Sequence, residues 1–257
     1  MLVVISPAKK LDYESPTRIR KHSRPDFVAE SEKLIRNLRK FSATDLKNLM
    51  GINDKIAETN RARYKSWSRD FPPENSRQAI LAFMGDVYRG LDARSLDSRD
   101  LNYAQSHLRI LSGLYGVLRP LDLIQPYRLE MGTQLTTSRG PDLYRFWGSR
   151  LAESLNEQAH SVRTRYLVNL ASIEYFDSVG GDALDLDVIT PVFKERLRGQ
   201  YRVLGFIAKK SRGMMARYII RNRIKNPEDL RAFDAGGYAF NEGMSSGGKF
   251  VFTRDKP

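Results

Sequence analysis

"LRILSGLYGVLRPLDLIQPYRLEMG", Leu108 to Gly132, sets three glycines, two prolines and three arginines among aliphatic runs. Its opening, "RILS", reads as a buried strand that turns sharply at "GLYG" into a proline corner, which would make Arg128 and Glu130 an internal ion pair. Four further apolar runs end the same way, in a polar or glycine-bearing loop: "LVVIS" before "PAKK", "AILAF" before "MGDVY", "YLVNL" before "ASIEY" and "RVLGF" before "IAKKSRG". Short apolar runs bounded by such punctuation predict buried strands.

Between them lie amphipathic stretches that predict helices over Asp26–Lys40, Ser42–Met50, Asn53–Trp67, Ser98–Gln105 and Asp142–His160, most opening on a Ser, Asp or Asn able to cap free N–H groups. "YAF" and "KFVFT" predict a C-terminal hairpin. The class is α/β or α+β, with a buried mixed sheet flanked by helices. No repeat or linker divides residues 1–257, which read as a single domain.

The 257 residues are 41% hydrophobic and 28% charged, values of a globular chain. The start "MLVVIS" has too few apolar residues for a signal-peptide core, and no stretch approaches a membrane span, so a cytoplasmic protein without membrane contact is expected. There is no cysteine, which excludes thiol-based peroxide reduction, iron–sulfur clusters and thiolate zinc sites. The three histidines, His22, His107 and His160, lack metal-ligand spacing, and no metal or cofactor is expected.

The net charge of +13 is uneven. Tyr201 to Lys225 holds eight basic residues and no acidic one, the composition of a surface that faces phosphate. Ligands of open α/β sheets gather where strands end. The loops after residues 5, 83, 112, 170 and 207 carry Lys9 and Lys10, Asp86 and Tyr88, Tyr115 and Arg119, Asn169, Ser172 and Glu174, then Lys209, Lys210 and Arg212. Brought together, they make a polar cleft of positive bias.

"ISPAKKLDY", "AILAFMGDVYRGL", "HLRILSGLYGVLRPLDLIQPYRLEMG", "LYRFWG", "LVNLAS" with "EYF", "AKKSRGMMARYII" and "GYAF" resemble, in order and spacing, the YaaA family of bacterial peroxide-stress proteins. The resemblance runs from about residue 1 to residue 252. Lys10 departs from the family's usual threonine, and Ser211 from alanine. The resemblance implies a role in the response to hydrogen peroxide, lower free iron, DNA recombination and repair, and a family-specific α/β fold with a basic cleft and a helix-hairpin-helix-like element. It further implies affinity for duplex and branched or bubbled DNA, and no securely attached reaction. A monomer is expected.

In that light Gly113 and Gly116 would form the bend of a helix-hairpin-helix, exposing backbone N–H groups to a phosphate with Arg119 beside them. The glycines are three apart rather than two, and Pro120 would sit at the limit of where a helix tolerates a missing N–H. A second DNA element is a helix from about Gly213 that aligns Arg217, Arg221 and Lys225 on one face. Arg18 to Arg24 reads as a flexible basic arm. The alternative is a nucleotide- or nucleic-acid-processing enzyme using Lys9, Asp86, Tyr115, Glu130 and Lys209, although no Walker loop, catalytic triad or dinucleotide fingerprint is present. Direct iron binding would need oxygen and histidine ligands gathered from scattered positions.

Overall fold

The computed structural model describes residues 1–255. Its strands are β1 (Leu2–Ile5), β2 (Lys10–Leu11), β3 (Arg77–Gln78), β4 (Phe83–Met84), β5 (Leu108–Ser112), β6 (Gly116–Leu118), β7 (Leu123–Ile124), β8 (Tyr166–Leu170), β9 (Asp187–Leu197), β10 (Gln200–Arg202), β11 (Ala239–Phe240) and β12 (Lys249–Arg254). The helices are α1 (Val28–Leu38), α2 (Ala43–Met50), α3 (Asp54–Ser66), α4 (Ala79–Ala82), α5 (Asp86–Leu91), α6 (Ser98–His107), α7 (Leu143–Trp147), α8 (Arg150–Ser161), α9 (Ile173–Phe176) and α10 (Gly205–Asn222).

The main sheet has the order β11-β12-β9-β8-β1-β5-β6, with β10 added beside β9. β5, β1, β8, β9 and β12 run parallel, while β6, β10 and β11 are antiparallel additions. All four residues of β1 and all five of β5 are buried, the pattern of strands covered on both faces. β9 instead alternates, burying Ile189, Pro191, Phe193 and Glu195, because only one of its faces meets the core. One apolar cluster runs from β1 through the helices to Phe252.

Local signals account for four of the helix starts. The Ser42 side chain and Asp45 form a reciprocal capping box at α2, and Asn53, Asp97 and Asp142 each accept a backbone N–H at the starts of α3, α6 and α7. The predicted helix over Asp142–His160 is broken at Gly148, whose φ is +53°. The predicted strand "AILAF" is instead the buried turn α4 followed by two strand residues, and "RVLGF" spans the end of β10 and the start of α10. The C-terminal hairpin pairs Ala239 with Thr253 and Phe240 with Phe252, as the sequence predicts.

Candidate functional site

β1 is the strand at which the chain's direction across the sheet reverses: β5 lies on one side of it and β8 on the other. Neighbouring loops must part at such a point, leaving a crevice outside the strands' carboxyl ends. A cleft of about 450 Å³ occupies it. Ser6, directly after β1, and Ser172, just past β8, close its base: the Ser172 N–H donates to Ser6 Oγ at 2.8 Å, and the two hydroxyls are 3.3 Å apart. The Tyr88 hydroxyl donates to the Ser6 carbonyl at 3.1 Å, tying α5 to the same base.

α5 and α10 form one wall through backbone contact. A Cβ on Gly213 would stand 1.8 Å from the Val87 carbonyl oxygen, and one on Gly90 would stand 2.1 Å from that of Lys210. Only glycine permits this approach. It sets Asp86, Lys209 and Arg212 around one opening.

The opposite wall is Tyr127 to Glu130, the second half of the stretch Leu108–Gly132. It lies directly on Gly113, where a Cβ would come within 2.4 Å of the Leu129 carbonyl oxygen. The glycine bend thus supports the cleft from beneath. β5 and β6 form an antiparallel hairpin, with Ile110 opposite Leu118, so the expected helix-hairpin-helix is not what this stretch adopts. Gly113 and Gly116 are buried; Gly116 has a φ of +69°, and a side chain there would strike the Trp147 ring. Their N–H groups do not face solvent as a phosphate nest requires.

Five cationic side chains line the cleft (Lys9, Lys10, Arg128, Lys209, Arg212), against three anionic ones (Asp86, Glu130, Glu174). Glu130 accepts from Lys9 Nζ at 2.6 Å and from Arg128 at 3.0 Å, which includes the internal pair read from the sequence. Asp86 pairs with Arg89 at 3.1 Å, and Glu174 accepts the Gly132 N–H at 3.0 Å. Arg212 is half-buried and, among the described residues, has no carboxylate or hydrogen-bonding partner. Burial lowers the proton affinity of its guanidinium. The buried Nε of Arg128 also lacks a partner. Burial raises the phenols of Tyr88, Tyr127 and Tyr175 well above the usual tyrosine range, so these groups stay neutral at physiological pH.

Other residues singled out in the sequence lie elsewhere. Tyr115 is wholly buried, accepting from Trp67 Nε1 at 3.0 Å and from the Gln125 N–H at 3.1 Å. Arg119 is paired with Asp122 at 3.0 Å and Asp26 at 3.1 Å. Arg18 to Arg24 is no free arm at its end: the Ser23 N–H donates to Leu121, and the Leu123 N–H donates to Ser23. α10 begins at Gly205 rather than near Gly213, which places Lys209 and Arg212 on a helix and not in a loop. Lys210 is exposed on the next position. Arg217 donates to the Leu91 and Asp92 carbonyls at 3.1 and 2.9 Å, and Arg221 lies 3.9 Å from Asp100. Lys225 stands beyond the helix, where the N-terminal ammonium has its proton affinity lowered by burial and then by the Lys225 charge. Met1 sits at the opposite end of β1 from the cleft, and Lys209 is separated along α10 from its last residue, Asn222, by about 20 Å. The basic stripe is therefore divided between the two ends of α10. No group of three metal-ligating side chains gathers among the described residues.

Ser6, Tyr127, Arg128 and Tyr175 join the site without having been marked for it in the sequence. Ser6 carried a signal, since it follows an all-buried strand directly. Arg128 carried none beyond its neighbour Glu130.

The sheet and its crevice define an α/β protein with a cleft at a topological switch point, lined by more cationic than anionic side chains. The family model described as "Peroxide stress protein YaaA" matches residues 1–244. The chain belongs to this family. It is 52% identical over 256 residues to a UPF0246 protein of Paraburkholderia phytofirmans, covering 99% of this chain and 98% of the relative. It is 51% identical to one from Aliivibrio fischeri strain MJ11, covering 100% and 99%. Among the described residues no helix is long and apolar enough to cross a membrane.

Proposed function

We propose that this peroxide stress protein binds duplex and branched or bubbled DNA, with little regard to sequence, at the mouth of the cleft, and that this attachment serves DNA protection and repair. Any effect on free iron is then indirect. One observation carries the proposal: Lys10 and Lys209 are exposed at the cleft, Lys210 is exposed next to Lys209 on α10, and among the described residues none of the three has a carboxylate partner. Solvated, unpaired cations in a cluster are what phosphate neutralisation needs. Phe206, 71% exposed, stands one helical turn before Lys209 and offers a face on which an unpaired base can stack.

Titration of a linear duplex and of a forked duplex by fluorescence anisotropy, at several salt concentrations, tests this. The expected result is affinity that falls by about one logarithmic unit of slope per phosphate neutralised, with tighter binding to the fork. Phe206→Ala should equalise the two. Affinity flat in salt, or strong sequence preference, contradicts it.

A second reading, a nucleotide- or nucleic-acid-processing enzyme, draws on the convergence of Lys9, Asp86, Glu130 and Lys209 on one concave site. Appearance of a new product from end-labelled DNA or a nucleotide incubated with the protein would favour it.

A further inference from the structure

The interior of the cleft differs chemically from its mouth. Its volume of about 450 Å³ is within the range of small-ligand sites and far below what a length of duplex fills. A duplex can lie across the opening but cannot enter.

Inside, three kinds of group face the same space. Arg212 is a half-buried guanidinium without a partner, and Arg128 has a buried Nε without one. A half-buried cation left unpaired costs stability unless an anion completes it, and the planar guanidinium fork matches phosphate oxygens. Tyr127 and Tyr175 supply largely buried aromatic wall, with Leu129 beside them. Glu130 and Glu174 are acceptors at the opening: Glu130 receives Lys9 on one oxygen and Arg128 on the other, each oxygen keeping a second lone pair, and Glu174 receives the Gly132 N–H on one oxygen and leaves the other to the cleft.

We infer that the cleft binds one phosphorylated nucleoside, its phosphate held by Arg212 and Arg128, its ring against Tyr127 and Tyr175, and its hydroxyl or amino groups donating to Glu130 and Glu174. Anion, flat apolar body and hydrogen-bond donors are the three parts of that ligand class, and the cleft holds a complement to each. A bare phosphate leaves the aromatic wall empty; a nucleoside leaves Arg212 unpaired. The unit comes either as a free nucleotide or as the phosphorylated end of a strand. This deepens the phosphate-binding reading of the same site and shares with it only the positive bias of the cleft.

The test is a thermal-shift and calorimetric panel on the full chain, using nucleoside 5′-monophosphates, the parent nucleosides, inorganic phosphate, and a short single strand with and without a 5′-phosphate. At least one monophosphate, or the phosphorylated strand, should raise the melting temperature and bind at least tenfold more tightly than its nucleoside, inorganic phosphate or the unphosphorylated strand. A response to free monophosphates identifies the free nucleotide as the source, and a response to the phosphorylated strand alone identifies a strand end. Arg212→Gln should weaken that binding about tenfold or more, the scale of a lost charged hydrogen bond. Arg212→Lys, which keeps the charge and loses the fork, should fall between. Arg165→Gln, at the opposite end of β8, should bind like the parent. No stabilisation by any phosphorylated probe at millimolar concentration, or binding indifferent to both Arg212 variants, overturns the inference. Long-duplex binding that survives such a failure leaves the mouth reading intact; loss of duplex binding with nucleotide binding preserved overturns the mouth reading alone.

Discussion

Gly90 and Gly213 meet so closely that a Cβ on Gly90 would stand 3.1 Å from the Cα of Gly213. This contact fixes α10 against α5, and with it the wall of the cleft that carries Asp86, Lys209 and Arg212.

Gly213→Ala should therefore destabilise the fold by about 3 kcal/mol or more, since the added methyl meets backbone rather than a flexible side chain and the helices must separate. Urea denaturation with unchanged slope is the measurement. Gly205→Ala, at a position with open space around it, should cost little and serves as the control.

Glu130 is the carboxylate that two cleft cations share. Glu130→Gln should release Lys9 and Arg128, tighten binding of long DNA and steepen its salt dependence, with the melting temperature nearly unchanged because partly exposed pairs contribute little. Anisotropy titration against the parent decides it; weaker DNA binding would mean that Glu130 acts on the ligand rather than against it.

Much of this arrangement is visible in the sequence, and its failures have physical causes. "LVVI" and "YLVNL" are apolar or β-branched at nearly every position and became the central parallel strands β1 and β8. "AILAF" is as apolar, but a run of five residues buried all round carries no periodicity to separate strand from helix turn, and it became α4. Gly205, read as part of the strand "RVLGF", is the first residue of an 18-residue helix. Loops after residues 5, 83 and 170 do converge as the sequence suggests, and α10 supplies what the loop after 207 was expected to bring. The loop after 112 does not, because its glycines lie under Leu129 and Trp147. That packing depends on contacts between distant or buried backbone positions, which no local pattern records.

Ser211, where the family resemblance leads one to expect alanine, sits 2.9 Å from the buried Tyr238 hydroxyl, which donates to Glu195, itself bound to Arg254 at 2.7 Å. Ser211→Ala should cost about 1 kcal/mol, the value of one hydrogen bond. Thermal unfolding of the two proteins measures it, and equal stability would show that the hydroxyl adds nothing to this cluster.

Asp12 anchors the segment that carries Lys9 and Lys10. Burial raises its proton affinity, but hydrogen bonds from Ser15 and Glu14 and the nearby Arg77 charge outweigh this and hold its pKa at about 2, against an ordinary value of 3.8. A depressed folded-state pKa means that its contribution is present above about pH 4 and is lost as the pH falls to about 2. Stability of the parent measured across that window should decline more steeply than that of Asp12→Asn, and parallel curves would refute the anchor.

The most direct test of the cleft mouth as the DNA-binding element is the salt slope of duplex affinity in two multiple variants. Lys10→Gln/Lys209→Gln/Lys210→Gln should lose about three units of slope, one for each phosphate contact removed, while remaining folded. Arg217→Gln/Arg221→Gln should lose less than about one, since Arg217 is already bound to the Leu91 and Asp92 carbonyls and Arg221 lies near Asp100. A triple variant that keeps the parent's slope, beside a double variant that loses two units, would place the DNA on the far half of α10 and contradict the account.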